Sequence, residues 1–253
     1  MDVKFREGFA ALWGKHFDGA ELPVAFFYTD NDGDAAAGGP AAPARCVIAN
    51  MDRVRKGETV RFAAGTIGCP GGKRYLGYSR EIRPGFEHFL SCGIPGELEG
   101  ERYKKSPELV LEVMDRMPQF EAPGKFVVFK RWDKLEGRDN PEVVVFFARP
   151  DVLAGLFTLA SFDEVESSGV IAPFAAGCGS IVLYPYLERG SESPRCVIGL
   201  FDPSARPFVG PDELTFAAPF AKFERMVANM DQSFLITPTW ERIRARIAAL
   251  KSG

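Results

Sequence analysis

Cysteine is the residue type that gives this chain its clearest chemical potential, and the spacing of the cysteines is informative. The chain has 253 residues and five cysteines, of which Cys46, Cys69 and Cys92 are evenly spaced. No two cysteines form a CxxC pair, so the local signatures of zinc ribbons and ferredoxins are absent. An odd count in a long chain argues against a disulfide framework and favours free, metal-bound or reactive thiols.

Cys69 has the setting best suited to a reactive thiol. It lies in the sequence GCPGGKR at residues 68–74, between a predicted strand and a predicted helical turn. A thiol at a helix N-terminus meets free N–H groups and the positive end of the helix dipole, which favours the thiolate. Nearby cations act in the same direction, and such a turn can hold a small anion. The candidate ligand-binding residues are Gly68, Gly71, Gly72, Lys73 and Arg74. A tight turn around a buried structural cysteine is the competing interpretation.

Distant cysteines can also meet in space and form a metal site. The candidates for such a cluster are Cys46, Cys69, Cys178 and Cys196. Soft thiolate ligands favour an iron–sulfur centre or zinc over hard cations. Cys178 lies between two glycines, which indicates either turn chemistry or the close approach of another segment. The apolar neighbours of Cys196 favour its burial in the core.

The two histidines and the scattered cations give weaker signals. His88 could serve as a base or a ligand, but its half-apolar helix favours a packing or surface role. His16 is predicted to be a favourable charge at the end of the opening helix. An anion site would require the fold to bring distant cations together, with Asp202 and Glu213 as partners or bases. Those cations are Arg45, Arg61, Lys73, Arg74, Arg195 and Arg206.

Composition and missing motifs exclude several common classes. The net charge is −3 and no long basic run occurs, so nucleic-acid binding is not expected. The chain has no GxxxxGK[ST], GxSxG or HExxH motif and no strand-linked GxGxxG, which excludes the usual nucleotide enzymes, serine hydrolases and zincins. No apolar run approaches the roughly 18 residues of a membrane span. Charges interrupt the N-terminus too often for a signal peptide, so we expect a cytoplasmic protein without membrane contact.

Hydrophobic periodicity predicts an α+β fold, with a mixed sheet and flanking helices in a single domain over residues 1–253. The predicted strands are residues 22–28, 59–64, 126–132, 142–148, 195–201 and 213–217. The predicted helices are residues 3–17, 46–56, 73–78, 84–91, 106–117, 149–162, 219–230 and 239–250. Residues 31–44 are predicted to be a loop, and residues 181–187 fit either a strand or a helix. The sequence RCVI occurs at residues 45–48 and again at 195–198, so a pseudo-duplicated α/β unit with halves 1–120 and 121–253 stays open.

Three stretches together resemble the domain of unknown function 169 family over most of the chain. The first is the segment 46–57 followed by CPGGKRYLG at residues 69–77, which is similar to the family's C-x-G-x-x-x-x-L-G pattern. The second is GCG at residues 177–179, ahead of an apolar segment with a proline. The third is Arg195-Cys196 followed by an Asp-Glu pair and the closing helix. The family's third stretch has a glycine and an arginine after the cysteine, whereas this chain has VIG at residues 197–199.

The resemblance implies no established activity, because the family is uncharacterised, but it groups Cys46, Cys69 and Cys178. We therefore expect a cysteine-centred site that binds a metal or iron–sulfur centre, or a small anionic ligand. In it Cys69 is the candidate catalytic thiolate, and all three cysteines are candidate metal ligands. The alternative is a non-catalytic small-molecule binding module with structural cysteines. Its pocket would be lined by Phe62, Tyr75, Phe86 and Phe174. Whether the protein is an enzyme, and whether it forms a homo-oligomer, stays open.

Overall fold

The computed structural model describes residues 1–31 and 46–249. Within them, seven strands form one mixed sheet. The strands are β1 (Val24–Thr29), β2 (Val60–Ala63), β3 (Phe126–Arg131), β4 (Val143–Ala148), β5 (Val170–Ile171), β6 (Cys196–Gly199) and β7 (Leu214–Pro219). Their spatial order is β2-β3-β1-β4-β7-β6-β5. Neighbouring strands run antiparallel, except that β5 and β6 are parallel.

Helices flank the sheet and connect its strands. They are α1 (Val3–His16), α2 (Val47–Arg55), α3 (Pro70–Tyr75), α4 (Phe86–Phe89), α5 (Pro107–Arg116), α6 (Pro150–Ala160), α7 (Tyr184–Glu188), α8 (Phe220–Asn229) and α9 (Pro238–Ala249). A π-helical turn, Gly179–Leu183, leads directly into α7. None of the helices in the described ranges is long and apolar enough to cross a membrane.

Both faces of the sheet are covered, and each packs into its own core. In β1, Ala25 and Phe27 contribute to one core, whereas Val24 and Phe26 contribute to the other, as the two-residue period of a strand requires. Helices α1, α6, α8 and α9 cover the first face, and α2, α3, the π-helical turn and α7 cover the second. All six residues of β4 are buried, as expected of a strand in the middle of a sheet.

The first face carries an aromatic core built around α1. The ring centroid of Phe9 lies 4.8 Å from that of Trp132 and 4.9 Å from that of Phe223, both edge to face. Trp13 stacks on Phe17 with 4.3 Å between centroids. Each such ring buries roughly 150–250 Å², so this face contributes mainly to stability.

The predicted α+β class is confirmed, and most predicted elements lie close to the observed ones. Two local predictions are wrong. The helix expected at residues 73–78 begins earlier, at Pro70, because proline suits the first position of a helix. The helix expected at residues 84–91 shrinks to α4, and Phe86, Phe89 and Leu90 are half-buried instead of facing a core.

Two features that the sequence left open have a definite outcome. The ambiguous segment 181–187 is helical, since it lies in the π-helical turn and α7. The sequence CVI, which occurs at residues 46–48 and 196–198, adopts two different structures. Cys46 precedes helix α2, whereas Cys196 begins strand β6. The predicted loop at residues 31–44 lies outside the described residues except for Asn31.

Candidate functional site

Three cysteines stand at the starts of three helical segments on the second face of the sheet. Cys46 is the N-cap of α2, Cys69 is the N-cap of α3, and Cys178 immediately precedes the π-helical turn. Cys178 belongs to the core of this face, and Cys46 packs against that core. Residues far apart in the sequence thus occupy equivalent positions in neighbouring elements.

Glycines allow these segments to touch. A Cβ built on Gly177 would lie 2.9 Å from Cγ1 of Ile48 in α2. A Cβ on Gly179 would lie 3.0 Å from ring atoms of Tyr75 in α3. The two residues that flank Cys178 are therefore glycines because α2 and α3 approach its backbone closely.

The Cys178 thiol is buried and lies near both other cysteines. Burial raises the pKa of Cys178 well above the ordinary thiol value, and the charges of Cys69 and then Cys46 raise it further. Asp202 adds a smaller repulsion. The Cys178 thiol is therefore protonated at neutral pH, and Cys46 and Cys69 both lie within electrostatic range of it.

Cys69 is exposed, so the competing interpretation of a buried structural cysteine is wrong. Its Sγ accepts a hydrogen bond from the backbone N–H of Gly72 at 3.5 Å, and its carbonyl accepts one from the N–H of Lys73 at 3.0 Å. The sulfur caps the helix that begins after it, as a serine or aspartate oxygen does in other proteins. The predicted setting of Cys69 at a helix start is confirmed, while its chemical role stays a prediction.

The predicted ligand-binding stretch is the first part of α3 instead of an open turn. Gly68 is exposed ahead of the cap, and Gly71 and Gly72 lie inside the helix. Lys73 is half-buried, whereas Arg74 has only 7% of its surface exposed. One amide of the turn is already engaged by the Cys69 sulfur, so the backbone alone offers a small anion little.

A buried carboxylate fixes the backbone beside Cys178. The N–H of Gly177 donates to Oδ2 of Asp202 at 3.2 Å. Ser204 donates to Oδ1 of Asp202 from its backbone N–H at 3.0 Å and from its hydroxyl at 2.8 Å. Burial, followed by the charge of Asp202, raises the pKa of Tyr103. The sequence predicted Asp202 as a partner of cations or as a base, and it gave no signal for Tyr103, which no motif marks.

The other two cysteines lie apart from this group. Cys196 belongs to the core of the first face, where burial raises the pKa of its thiol to about 12. Its predicted burial is confirmed. Its membership of a four-cysteine cluster is wrong, because the alternation of side chains along β6 directs it to the face opposite Cys178. Cys92 is exposed.

The cations predicted to form an anion site do not converge among the described residues. Arg195 pairs with an acidic side chain, Arg206 donates to backbone carbonyls, and Arg61 lies over an aromatic ring. Each of these cations therefore interacts with groups near it instead of contributing to a shared anion site. Arg45 lies outside the described residues.

The aromatic pocket of the alternative hypothesis is not assembled. Phe62 is fully buried in the core of the second face and Tyr75 is almost fully buried. Phe174 is 57% exposed, and Phe86 is half-buried in α4. A residue sealed in the core and one on the surface do not line a common cavity.

A surface cleft of about 360 Å³ lies elsewhere, among residues that include Glu21, Arg149 and Asp212. Its charges already neutralise one another, since Nε of Arg149 lies 3.1 Å from a carboxylate oxygen of Asp212. This pair therefore leaves neither Arg149 nor Asp212 as a free charge for a ligand in the cleft.

The ligand geometry for a single metal ion is incomplete. No three or more Cys, His, Asp or Glu side chains among residues 1–31 and 46–249 are placed to hold one ion. His88 lies 3.9 Å from Glu87, and His16 pairs with Asp231 at 2.7 Å. Neither histidine therefore completes a metal site with the cysteines.

The comparisons with known proteins identify a family without a known activity. Residues 16–229 match the domain of unknown function 169 family, which is described as an uncharacterised ArCR. Neither the curated proteins nor the solved structures gave a match. Since the matched segment covers most of the chain, this protein belongs to the domain of unknown function 169 family.

Proposed function

We propose that this protein binds a thiolate-ligated metal centre through Cys46, Cys69 and Cys178, with an iron–sulfur cluster as the favoured form. The supporting observation is the placement of these cysteines at the starts of three helical segments that touch one another. Thiolate is the ligand that iron–sulfur clusters require. The cytoplasm is the proposed location, because thiols stay reduced there.

Differences in exposure among the three cysteines suit such a centre. Cys178 is buried, Cys46 is half-buried and Cys69 is exposed. A centre bound between them would have one side against the protein core and one side accessible from solvent. The nine-residue helix α2 also presents the positive end of its dipole at Cys46, which favours negative charge there.

A cluster fits this arrangement better than a single ion does. The sulfur ligands of one zinc ion each lie about 2.3 Å from the metal, so they must nearly touch, and the described parts of the chain hold no such group. A multinuclear cluster is wider and takes thiolates that stand apart. A cluster bound here would supply electron transfer at a potential set by the burial of its sulfurs and the hydrogen bonds to them.

Anaerobic purification followed by metal and sulfide analysis tests the proposal. We expect iron and acid-labile sulfide bound to the wild-type protein, with visible absorption that bleaches on reduction. Single Ser variants of Cys46, Cys69 and Cys178 should each lower the bound iron. Zinc without sulfide would favour a single-ion site that closes on binding.

Two cysteines of the same chain provide matched controls. Cys92→Ser removes an exposed thiol and Cys196→Ala removes a buried one on the other face, and both variants should keep the wild-type metal content. A colourless protein that stays free of iron and zinc after anaerobic reconstitution would contradict the proposal and favour the non-catalytic binding module. Equal losses in all five variants would show a general folding effect instead of ligation.

We further propose that the partner is a metal or a small molecule, and that nucleic acid and membranes are not partners. The net charge of −3 supports this, because a nucleic-acid surface needs an excess of cations. Light scattering with and without reductant will show whether the chain forms a homo-oligomer.

A further inference from the structure

Arg74 is a buried cation whose hydrogen-bonding capacity is mostly unmet. Only 7% of its surface is exposed. Its Nη1 donates to the backbone carbonyl of Arg80 at 2.6 Å. Its Nε and Nη2 are buried and have no partner. A guanidinium carries five N–H donors, so most of the donors of Arg74 are unused.

No carboxylate among the described residues compensates the charge of Arg74. Burial lowers the pKa of Arg74, and the ionisable group that acts on it beyond burial is the neighbouring Tyr75. A buried ion without a counter-ion is costly, and proteins rarely keep one. The guanidinium remains charged because its ordinary pKa is so high. A buried guanidinium without a counter-ion in the protein is therefore what we expect of a binding site for an anion from solution.

The unused edge of Arg74 is the edge with which several other arginines of this chain bind carboxylates. In Arg131, Nε lies 2.6 Å from Oδ1 of Asp133 and Nη2 lies 2.8 Å from Oδ2. Nε and Nη2 together bind one carboxylate in four further arginines, through both of its oxygens in three of them and through a single oxygen in Arg53. The four are Arg53, Arg55, Arg195 and Arg246.

We propose that the Nε–Nη2 edge of Arg74 binds an oxyanion that presents two oxygens side by side, the carboxylate or phosphate group of a small molecule. Bidentate contact of this kind is the strongest that an arginine makes. Arg61 gives the contrast. Its Nη1 is also buried and unpartnered, but its guanidinium lies over the Phe126 ring at 4.0 Å, which explains its position without a ligand.

A short irregular segment contacts the guanidinium of Arg74. Residues 80–84 are exposed and form neither helix nor strand, and the carbonyl of Arg80 is the group that contacts the guanidinium. The site lies on the same helix that Cys69 caps, yet the inference needs no metal and stands apart from the proposed thiolate centre.

Thermal unfolding of the metal-free full chain with and without added anions tests this inference. Acetate, succinate and inorganic phosphate are compared with chloride at the same ionic strength. We expect at least one oxyanion to raise Tm by roughly 3–6 °C at a tenfold excess over its Kd. Comparison of the carboxylates with phosphate shows which oxyanion the site prefers.

Arg83→Gln is the matched control, since it removes an exposed arginine that lies over the Phe89 ring and outside the candidate ligand-binding residues. It should keep the Tm shift, whereas Arg74→Gln should lose it and Arg74→Lys should lose most of it, because an ammonium has no planar fork. If the Arg74 variants do not fold, the Arg Nε–H resonances of the wild-type protein give a direct measurement. The Arg74 resonance should move on titration with the oxyanion. An equal Tm shift in Arg74→Gln, or an Nε–H resonance that no oxyanion moves, would overturn the inference.

Discussion

Gly177 and Ile48 lie so close together that a Cβ built on Gly177 would stand 2.9 Å from Cγ1 of Ile48. The same Cβ would stand 2.9 Å from Cβ of Ala205 and from Cδ2 of Leu200. Real Cβ atoms essentially never approach their neighbours so closely, so any side chain at position 177 must displace its surroundings. The contact fixes Cys178 against α2 and therefore beside Cys46.

We expect Gly177→Ala to destabilise the protein by about 1–3 kcal/mol, because it forces a methyl group into a packed interface. Urea unfolding measures this loss, and the labelling rate of Cys178 in the native state measures the local opening. Gly190→Ala is the control, since its nearest neighbour, the carbonyl oxygen of Leu187, lies at an ordinary 3.7 Å. Wild-type stability in Gly177→Ala would mean that the interface yields more easily than its geometry indicates.

Native-state alkylation should divide the cysteines into two groups. Cys69 and Cys92 are exposed and should react first, while Cys178 and Cys196 should react only through opening of the fold. At pH 8 a thiol with a pKa of about 12 is ionised in about one molecule in ten thousand, so even brief access leaves Cys196 slow. Mass spectrometry of samples quenched over time gives each rate. Labelling of Cys196 as fast as Cys92 would contradict its burial.

Local chemistry determined what could be predicted from the sequence. The strands are visible because they are rich in β-branched and aromatic residues, as in Val143–Ala148, and α5 is visible because Ser106 caps it and Pro107 follows. The insertion of β1 between β3 and β4 was not predictable, since strand order depends on packing across the whole chain.

The candidate site was predictable only in part. The sequence indicated a helix start near Cys69, and at Cys178 it indicated either a turn or the close approach of another segment, because glycines permit such contacts. The state of Arg74 could not be inferred, since a sequence shows a cation but neither its burial nor its missing partner. Tyr103 was missed for the same reason: its position near Asp202 depends on tertiary structure alone.

We expect the ion pair between Lys222 and Glu164 to be essential for the stability of the core on the first face of the sheet. The Lys222 side chain is fully buried, and Nζ donates to Oε1 of Glu164. Glu164→Gln removes the main counter-ion, leaving Asp163 at 3.9 Å, so we expect a loss of about 3 kcal/mol. Urea unfolding measures it. Glu112→Gln, which breaks an exposed pair with Arg116, should cost less than about 0.5 kcal/mol.

A second substitution separates charge from packing at this position. Lys222→Met combined with Glu164→Gln should recover most of the lost stability, because an apolar side chain of similar length needs no counter-ion. If the double variant is as unstable as Glu164→Gln alone, the loss arises from contacts of Glu164 other than its pairing with Lys222. Arg225, whose Nη2 lies 2.7 Å from Oε1 of Glu164, is the first such contact to examine.

The stability gap between the wild-type protein and Glu164→Gln should close in acid. Hydrogen bonding to Lys222 lowers the pKa of Glu164 below its ordinary value of 4.5. A carboxylate with a lowered pKa stabilises the fold above its unfolded-state pKa, and this contribution disappears as the pH falls through the folded-state pKa. Protonated Glu164 then resembles glutamine in shape and charge. Unfolding measured from neutral pH down to below the lowered pKa of Glu164 should therefore show the two proteins converging. A gap of unchanged size across this range would show that the charge of Glu164 contributes nothing to holding Lys222 in the core.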